Sequence, residues 1–317
     1  MRGGSTVSVP DVTADEMSGN SAPGGRVVVV GTVNVDDVFE CPSLPRPGET
    51  VLALATTRHQ GGKGANQAAA ASRWGAPTSL VALVGQDDDG AAAVVDLESW
   101  GVDTSEVGFV ELPTGRALIL LDPAGENSIV VASGANGALD AERATEALSR
   151  LTLTRADVVL TNGEVSAAVV AAAARVAGQV GARHVHNLAP ARVADLAVTT
   201  GSVLVLNEVE LSQVTGDADT DAALRQLHTG RPGVVLTLGS RGAVAATREG
   251  DATVAAVPTE VVDTTGAGDA FCGALAAELV AGTDLAAAVR LAVRAGSYAV
   301  TGAGARGALA RRSDVAG

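Results

Sequence analysis

Five runs of consecutive apolar, mostly β-branched residues constrain this chain more than any other feature. They are RVVVVG at 26–31, SLVALVG at 79–85, DVVLTNGE at 157–164, the segment Val203 to Leu206, and GVVLTL at 233–238. A run with no polar alternation is apolar on both faces, which suits a strand buried inside a parallel sheet. Stretches of helical length lie between several of them, among them 63–74 and 165–177. The alternation predicts βα units and an α/β fold with a mostly parallel sheet. Open sheets of this kind bind ligands beyond the carboxyl ends of their strands. The residues that follow each run are therefore the first candidates for function.

Those residues are polar or glycine. Asn34 and Asp36 follow the first run, and Glu164 closes the third. Asn207 and Glu210 follow the fourth, three apart and so on one helix face. Thr237 lies near the end of the fifth, and Gly239, Ser240 and Gly242 follow it. Local explanations remain open for two of these groups: an Asx turn for Asn34 and Asp36, and a capping box for Asn207 and Glu210. Asp87, Asp88 and Asp89 read as a solvated cap before a helix rather than a metal site.

Two glycine-rich stretches add to this set. HQGGKGAN at 59–66 opens a helix that runs to Trp74 and stops at Gly75, and it carries Gly62, Lys63, Gly64 and Asn66. It is not a nucleotide P-loop, because no Ser or Thr follows the lysine. Lys63 is the sole lysine among 22 basic residues. In a chain that otherwise uses arginine, one ammonium points to a place where a guanidinium would not fit. The second stretch, DTTGAGDAF at 263–271, opens a helix over about 268–281. Gly266, Ala267 and Gly268 carry almost no side chain, so their N–H groups can close on an anion at a helix N-terminus. Asp269 places a carboxylate beside that seat, where the helix dipole is expected to keep it ionised.

Composition limits the partners. A net charge of −14 argues against nucleic acid or an anionic membrane surface. No apolar run approaches the ~20 residues needed to span a bilayer. Cys41 and Cys272 have no metal-ligand spacing and suit a reducing cytoplasm. Residues 1–25 are rich in Gly, Ser, Asp and Thr and read as a disordered tail, leaving 26–317 as one domain. Segments 116–121 and 127–132, joined by Asp122-Pro123-Ala124-Gly125, read as a hairpin. With the strands of 35–60 they form a small sheet with no helix to cover it, which needs a ligand cleft or a partner subunit against it. There is no Ser–His–Asp spacing, no HExxH and no CxxC. One Asp at a helix N-terminus, with other carboxylates nearby, points to phosphoryl transfer, which asks mainly for positioning and charge stabilisation.

The motifs resemble a known family. GGKGAN at 61–66 and DTTGAGDAF at 263–271 are similar to the two signatures of the PfkB-type carbohydrate kinases. The ribokinase branch fits best, through GTVNVDD at 31–37, PRPGET at 45–50, GENSIVVASGAN at 125–136, NLAPAR at 187–192, NEVE at 207–210 and TLGSRG at 237–242. The resemblance spans about 27–307. It implies a ribokinase-like three-layer α/β/α core with a mostly parallel sheet and a β-sheet lid, from segments about 35–60 and 114–133. It also implies a homodimer clasped through the lids.

Carried over residue by residue, Asn34, Asp36, Gly62, Lys63, Gly64, Asn66 and Glu164 would hold a pentose. Asp269 would be the base, with Gly266, Ala267 and Gly268 as the anion hole. Asn207, Thr237, Gly239, Ser240, Gly242, Gly268 and Val293 would line the ATP cleft, with Glu210 organising Mg²⁺. Asp263, Thr265, Ala299, Gly302, Gly304 and Ala308 would form a K⁺ loop. Ala308 stands where ribokinases often have Ser, and Leu188 where they have Pro. The expected activity is phosphorylation of D-ribose at its 5-hydroxyl. The alternatives are a deoxyribose, other sugar or nucleoside acceptor, or a non-catalytic sugar-binding protein on the same fold. Few aromatic residues are present to stack a nucleoside base.

Overall fold

The computed structural model describes residues 24–216, 219–248 and 250–315. The tail expected at 1–25 lies outside the described residues, save for 24 and 25. Thirteen strands follow in chain order: β1 (Val27–Val30), β2 (Asn34–Glu40), β3 (Ala55–Gly61), β4 (Thr78–Gly85), β5 (Val102–Val110), β6 (Gly115–Leu121), β7 (Asn127–Ala132), β8 (Val158–Asn162), β9 (Arg183–Asn187), β10 (Val203–Asn207), β11 (Gly233–Thr237), β12 (Ala243–Thr247) and β13 (Gly250–Val254).

Nine of them form the main sheet in the order β13-β12-β11-β10-β9-β8-β1-β4-β5. The seven from β11 to β5 run parallel, and β12 and β13 add an antiparallel edge. The apolar runs fill this sheet because both of its faces are covered. The four valines of β1 show it directly. Val27 and Val29 pack into the layer holding the helices Lys63–Trp74, Ala267–Val280 and Leu285–Ala299. Val28 and Val30 pack into the opposite layer, with the helices Ala141–Arg150 and Ala167–Val180. From β1 the chain adds β4 and β5 on one side, then returns to add β8 to β11 on the other. The order of addition therefore reverses between β1 and β8, the place where such sheets open a crevice.

The second sheet has the order β3-β2-β6-β7. Its outer strands are open to solvent, with β7 exposed at all six positions and β3 at its first five. Among the described residues no helix covers this sheet, as the sequence implied. Within segment 35–60 the strands are β2 and β3, and β3 does not begin until Ala55. The edge strand β5 carried no clear sequence signal, and its exposed positions, Asp103, Ser105 and Phe109, are mixed in polarity. Nor did the helix Ala141–Arg150, capped by Asp140.

Candidate active site

The helix Ala267–Val280 carries the centre of the site. Gly266 caps it at φ 77°, a conformation that favours glycine, and a Cβ there would lie 2.5 Å from Ala305 Cα. The Ala267 N–H makes a long turn bond to Thr264 O at 3.3 Å. The Gly268 N–H, in the first turn, has no intrahelical acceptor and is the better donor to a ligand. A Cβ on Gly268 would meet no atom within 4 Å.

Asp269 sits one residue further on and is buried. Both its oxygens are held by neighbours on the helix Lys63–Trp74: Asn66 Nδ2 donates to Oδ2 at 3.1 Å and Gln67 Nε2 to Oδ1 at 3.0 Å. Gln67 also donates to Asn187 Oδ1 at 3.0 Å, tying the pair to the end of β9. These contacts require the two helices to lie close. A Cβ on Gly273 would stand 2.6 Å from Ala70 Cβ, so only glycine lets them meet this way. Burial raises the Asp269 carboxyl above its ordinary value, and Lys63 and the two amides oppose the rise. Burial is the largest influence on this carboxyl, because it has lost its water.

The sugar-binding candidates gather beside Asp269 at the switch point. Glu164, just past β8, accepts from the Lys63 N–H at 3.0 Å and from Thr32 Oγ1, bridging the ends of β1 and β8. Asn34 accepts from Asn136 Nδ2 at 2.8 Å, and Asn136 clamps both N–H and C=O of Val33. Asp36 is pushed up to about 6, by burial first and by Glu164 second, with Arg306 and His59 opposing. Gly62 and Gly64 lie against the backbone of residues 31–34. The Lys63 ammonium is raised mainly by Asp269, with Glu164 and Glu210 adding to it against burial. It lines a recess of about 150 Å³ with Asn207, Glu210, Gly268, Asp269 and Cys272. Lys63 thus stands between the sugar candidates and the nucleotide candidates.

A cleft of about 670 Å³ adjoins that recess. Asn207, Thr237, Gly239, Ser240, Gly242, Gly268 and Val293, the residues assigned to the nucleotide, all line it. Asn207 and Glu210 do form the capping box: Asn207 Oδ1 accepts from Glu210 N at 2.9 Å and Glu210 Oε2 from Asn207 N at 2.8 Å. Capping uses one Glu210 oxygen and does not exclude a second role. The loop set is brought together as well. Asp263 accepts from Thr265 N and Oγ1 at 2.9 and 2.7 Å and from Gly304 N at 2.8 Å. Burial works against Asp263, yet these bonds hold it below the usual carboxylate value. Gly302 packs against Ala308, and its N–H points to Ala299 O at 3.4 Å. Asp87 caps the helix Asp88–Ser99 through Gly90 N, as the acidic run implied.

Three participants had no signal of their own in the sequence: Gln67, Asn136 and Arg306. Their bonds reach 202, 102 and 240 residues along the chain, to Asp269, Asn34 and Asn66.

Comparison with known proteins agrees with this geometry. Residues 25–311 match the family described as pfkB family carbohydrate kinase. The chain belongs to that family. It is 34% identical to a ribokinase of Bacillus subtilis, the match covering 92% of this chain and 98% of that protein. It is 35% identical to a deoxyribokinase of Salmonella typhi, over 88% and 93%. It is 33% identical to a bifunctional ribokinase/ribose-5-phosphate isomerase A of Fructilactobacillus sanfranciscensis, of whose length it spans 55%. A structure of Arabidopsis thaliana ribokinase complexed with ribose and ATP superposes with a TM-score of 0.81 at 30% identity, covering 92% of this chain and 98% of that one. The fold is therefore the ribokinase-like one, and the chain is a sugar kinase. No described helix is long and apolar enough to cross a membrane.

Proposed function

We propose that the protein transfers the γ-phosphoryl group of ATP to the 5-hydroxyl of D-ribose. One observation carries the reading. Asp269, buried and held at both oxygens, lines with Lys63 a recess that adjoins a nucleotide-sized cleft, and Gly268 lines both spaces. A hydroxyl in that recess would give its proton to Asp269 as its oxygen attacks phosphorus. A raised carboxyl pKa suits the task, since a base works best when its pKa nears the working pH. The Gly268 N–H and the Lys63 ammonium would face the charge on the transferring group, a contribution of roughly 3–4 kcal/mol for a preorganised donor by analogy with oxyanion holes. Asn34, Asp36, Asn66 and Glu164 would hold the remaining hydroxyls.

Two ions fit the residues present. Glu210 keeps Oε1 without a protein partner among the described residues and borders the recess, which suits the water shell of Mg²⁺. Bound with the nucleotide, Mg²⁺ would neutralise phosphate charge. Asp263, ionised and close to the backbone of 302–304, suits K⁺ even with Ala308 supplying no side-chain oxygen. The uncovered lid sheet supports a homodimer through that face.

Deoxyribose is the alternative acceptor with a specific ground, because the deoxyribokinase relative is as similar as the ribokinases. Coupled ADP release measured with ribose, deoxyribose, fructose and adenosine decides. Ribose should give the highest kcat/KM. A higher value for deoxyribose reassigns the acceptor, and no ADP release above the ATP-only rate with any of the four removes the reading.

A further inference from the structure

Arg306 is an arginine whose side chain is only 8% exposed, on the loop after the last long helix. Its Nε donates to Asn66 Oδ1 at 2.9 Å, and its Nη1 pairs with Asp96 on the helix Asp88–Ser99. An Asn side chain facing a carboxylate has two orientations, and only one directs its amide nitrogen at the acid. A guanidinium donor on Oδ1 forces that orientation, since Arg has no acceptor to offer the nitrogen. The result is a linear set of contacts, Asp96 to Arg306 to Asn66 to Asp269, that begins outside the substrate recess and ends on the base.

We propose that Arg306 is a positioning residue for phosphoryl transfer, holding Asn66 in the orientation that fixes Asp269. The proposal rests on the kinase reading of Asp269.

Charge acts in the same direction. The groups that face one another here are Asp36 from β2, His59 from β3, Lys63, Glu164, Asp269 and Arg306, with Asp96 beyond. Burial lowers the Arg306 pKa from its ordinary value, against Asp96, Asp269 and Asp36. An arginine starts so high that it stays charged. It and Lys63 are the two permanent cations set against the carboxylates Asp36 and Asp269. Without the guanidinium those two carboxylates hold protons more tightly, so the acid limb of activity moves to higher pH. A role confined to fold stability moves no such limb.

The test uses full-length Arg306→Gln and Arg306→Lys, with steady-state kinetics for ribose from pH 5 to 8 and melting temperature as control. Arg306→Gln should lower kcat at least tenfold and shift the acid limb of kcat/KM upward, with KM for ATP within twofold. Arg306→Lys keeps the charge, but a single ammonium cannot serve Asn66 and Asp96 with the fixed fork of a guanidinium. It should leave the limb in place and still lower kcat. If Arg306→Gln does not fold, a Lys variant with wild-type kcat overturns the proposal. So does a folded Arg306→Gln with kcat within twofold and an unmoved limb. Wild type with no activity on any sugar of the panel would remove the kinase reading instead, a separate result from an active wild type matched by its Arg306 variants.

Discussion

Asp269 and Asp36 both sit above the ordinary carboxylate range, and the difference in their surroundings separates their roles. Asp269 is buried at the edge of the recess, with an amide on each oxygen and Lys63 as the main opposing charge. Replacing it by Asn removes the proton acceptor but not the volume, so kcat should fall at least ~100-fold, the usual scale for a positioned base. The KM for ribose and the melting temperature should stay close to wild type. Turnover within a few-fold of wild type takes Asp269 out of the base role. Asp36 is only partly enclosed and titrates near 6. Its folded value lies above the ordinary one, so it is charged above about 6 and neutral below. A carboxylate that accepts sugar hydroxyls must be charged, so kcat/KM should drop as pH falls through 6, toward tenfold per unit. In kcat at saturating sugar the limb should lie lower, because bound hydroxyls stabilise the ionised form. A kcat/KM flat from pH 7 to 5 removes Asp36 from the sugar site.

The helix Ala267–Val280 shows how one element separates packing from chemistry. Gly268 and Gly273 lie five positions apart, and an added methyl group meets opposite surroundings. At 273 it lands 2.6 Å from Ala70 Cβ and 2.7 Å from Ala71 N, both on the facing helix. Gly273→Ala should therefore cost about 1–3 kcal/mol of stability, the range for overpacking a core. At 268 the methyl projects into the cleft and touches nothing, so Gly268→Ala should melt with wild type yet lose at least tenfold in kcat/KM for ATP. Equal effects of the two changes on both readouts would contradict this division. The same element shows what the sequence discloses. GAGD announces itself, because small residues before a first-turn acid can serve few purposes. The apolar runs announce the sheet, because β-branched residues in succession favour a strand buried on both faces. Gln67 lay unmarked within an alanine helix, and its meaning appears only when residue 269 is brought beside it. β5 was hidden for a local reason: at an edge only two of its nine residues are buried, and its pattern weakens.

At the scale of the whole molecule the unfinished surface is the lid. Paired residues of β6 and β7 share a face, which puts Leu118 with Val130 on one side. Ile119 with Ile129, and Ala117 with Val131, lie on the other, the side that also carries Asp36. Ile129, Val130 and Val131 are all more than half exposed, although β-branched residues on a sheet are normally covered. A second copy related by a twofold axis would cover such a surface, and every contact would then occur twice. Ile129→Lys and Val130→Lys, made separately, ask which face is used. Burying one such side chain contributes roughly 2 kcal/mol. Loss from both copies amounts to about 4 kcal/mol, close to a thousandfold in the dimer dissociation constant. Sedimentation velocity across a range of concentrations should show wild type as a dimer and one of the variants as a monomer. If the interface lies on the Asp36 side, Ile129→Lys should also raise the KM for ribose, because the partner would help enclose the sugar beside Asp36. A wild type that is monomeric throughout, or a dimer that survives both substitutions, would show that the lid is not what joins two copies.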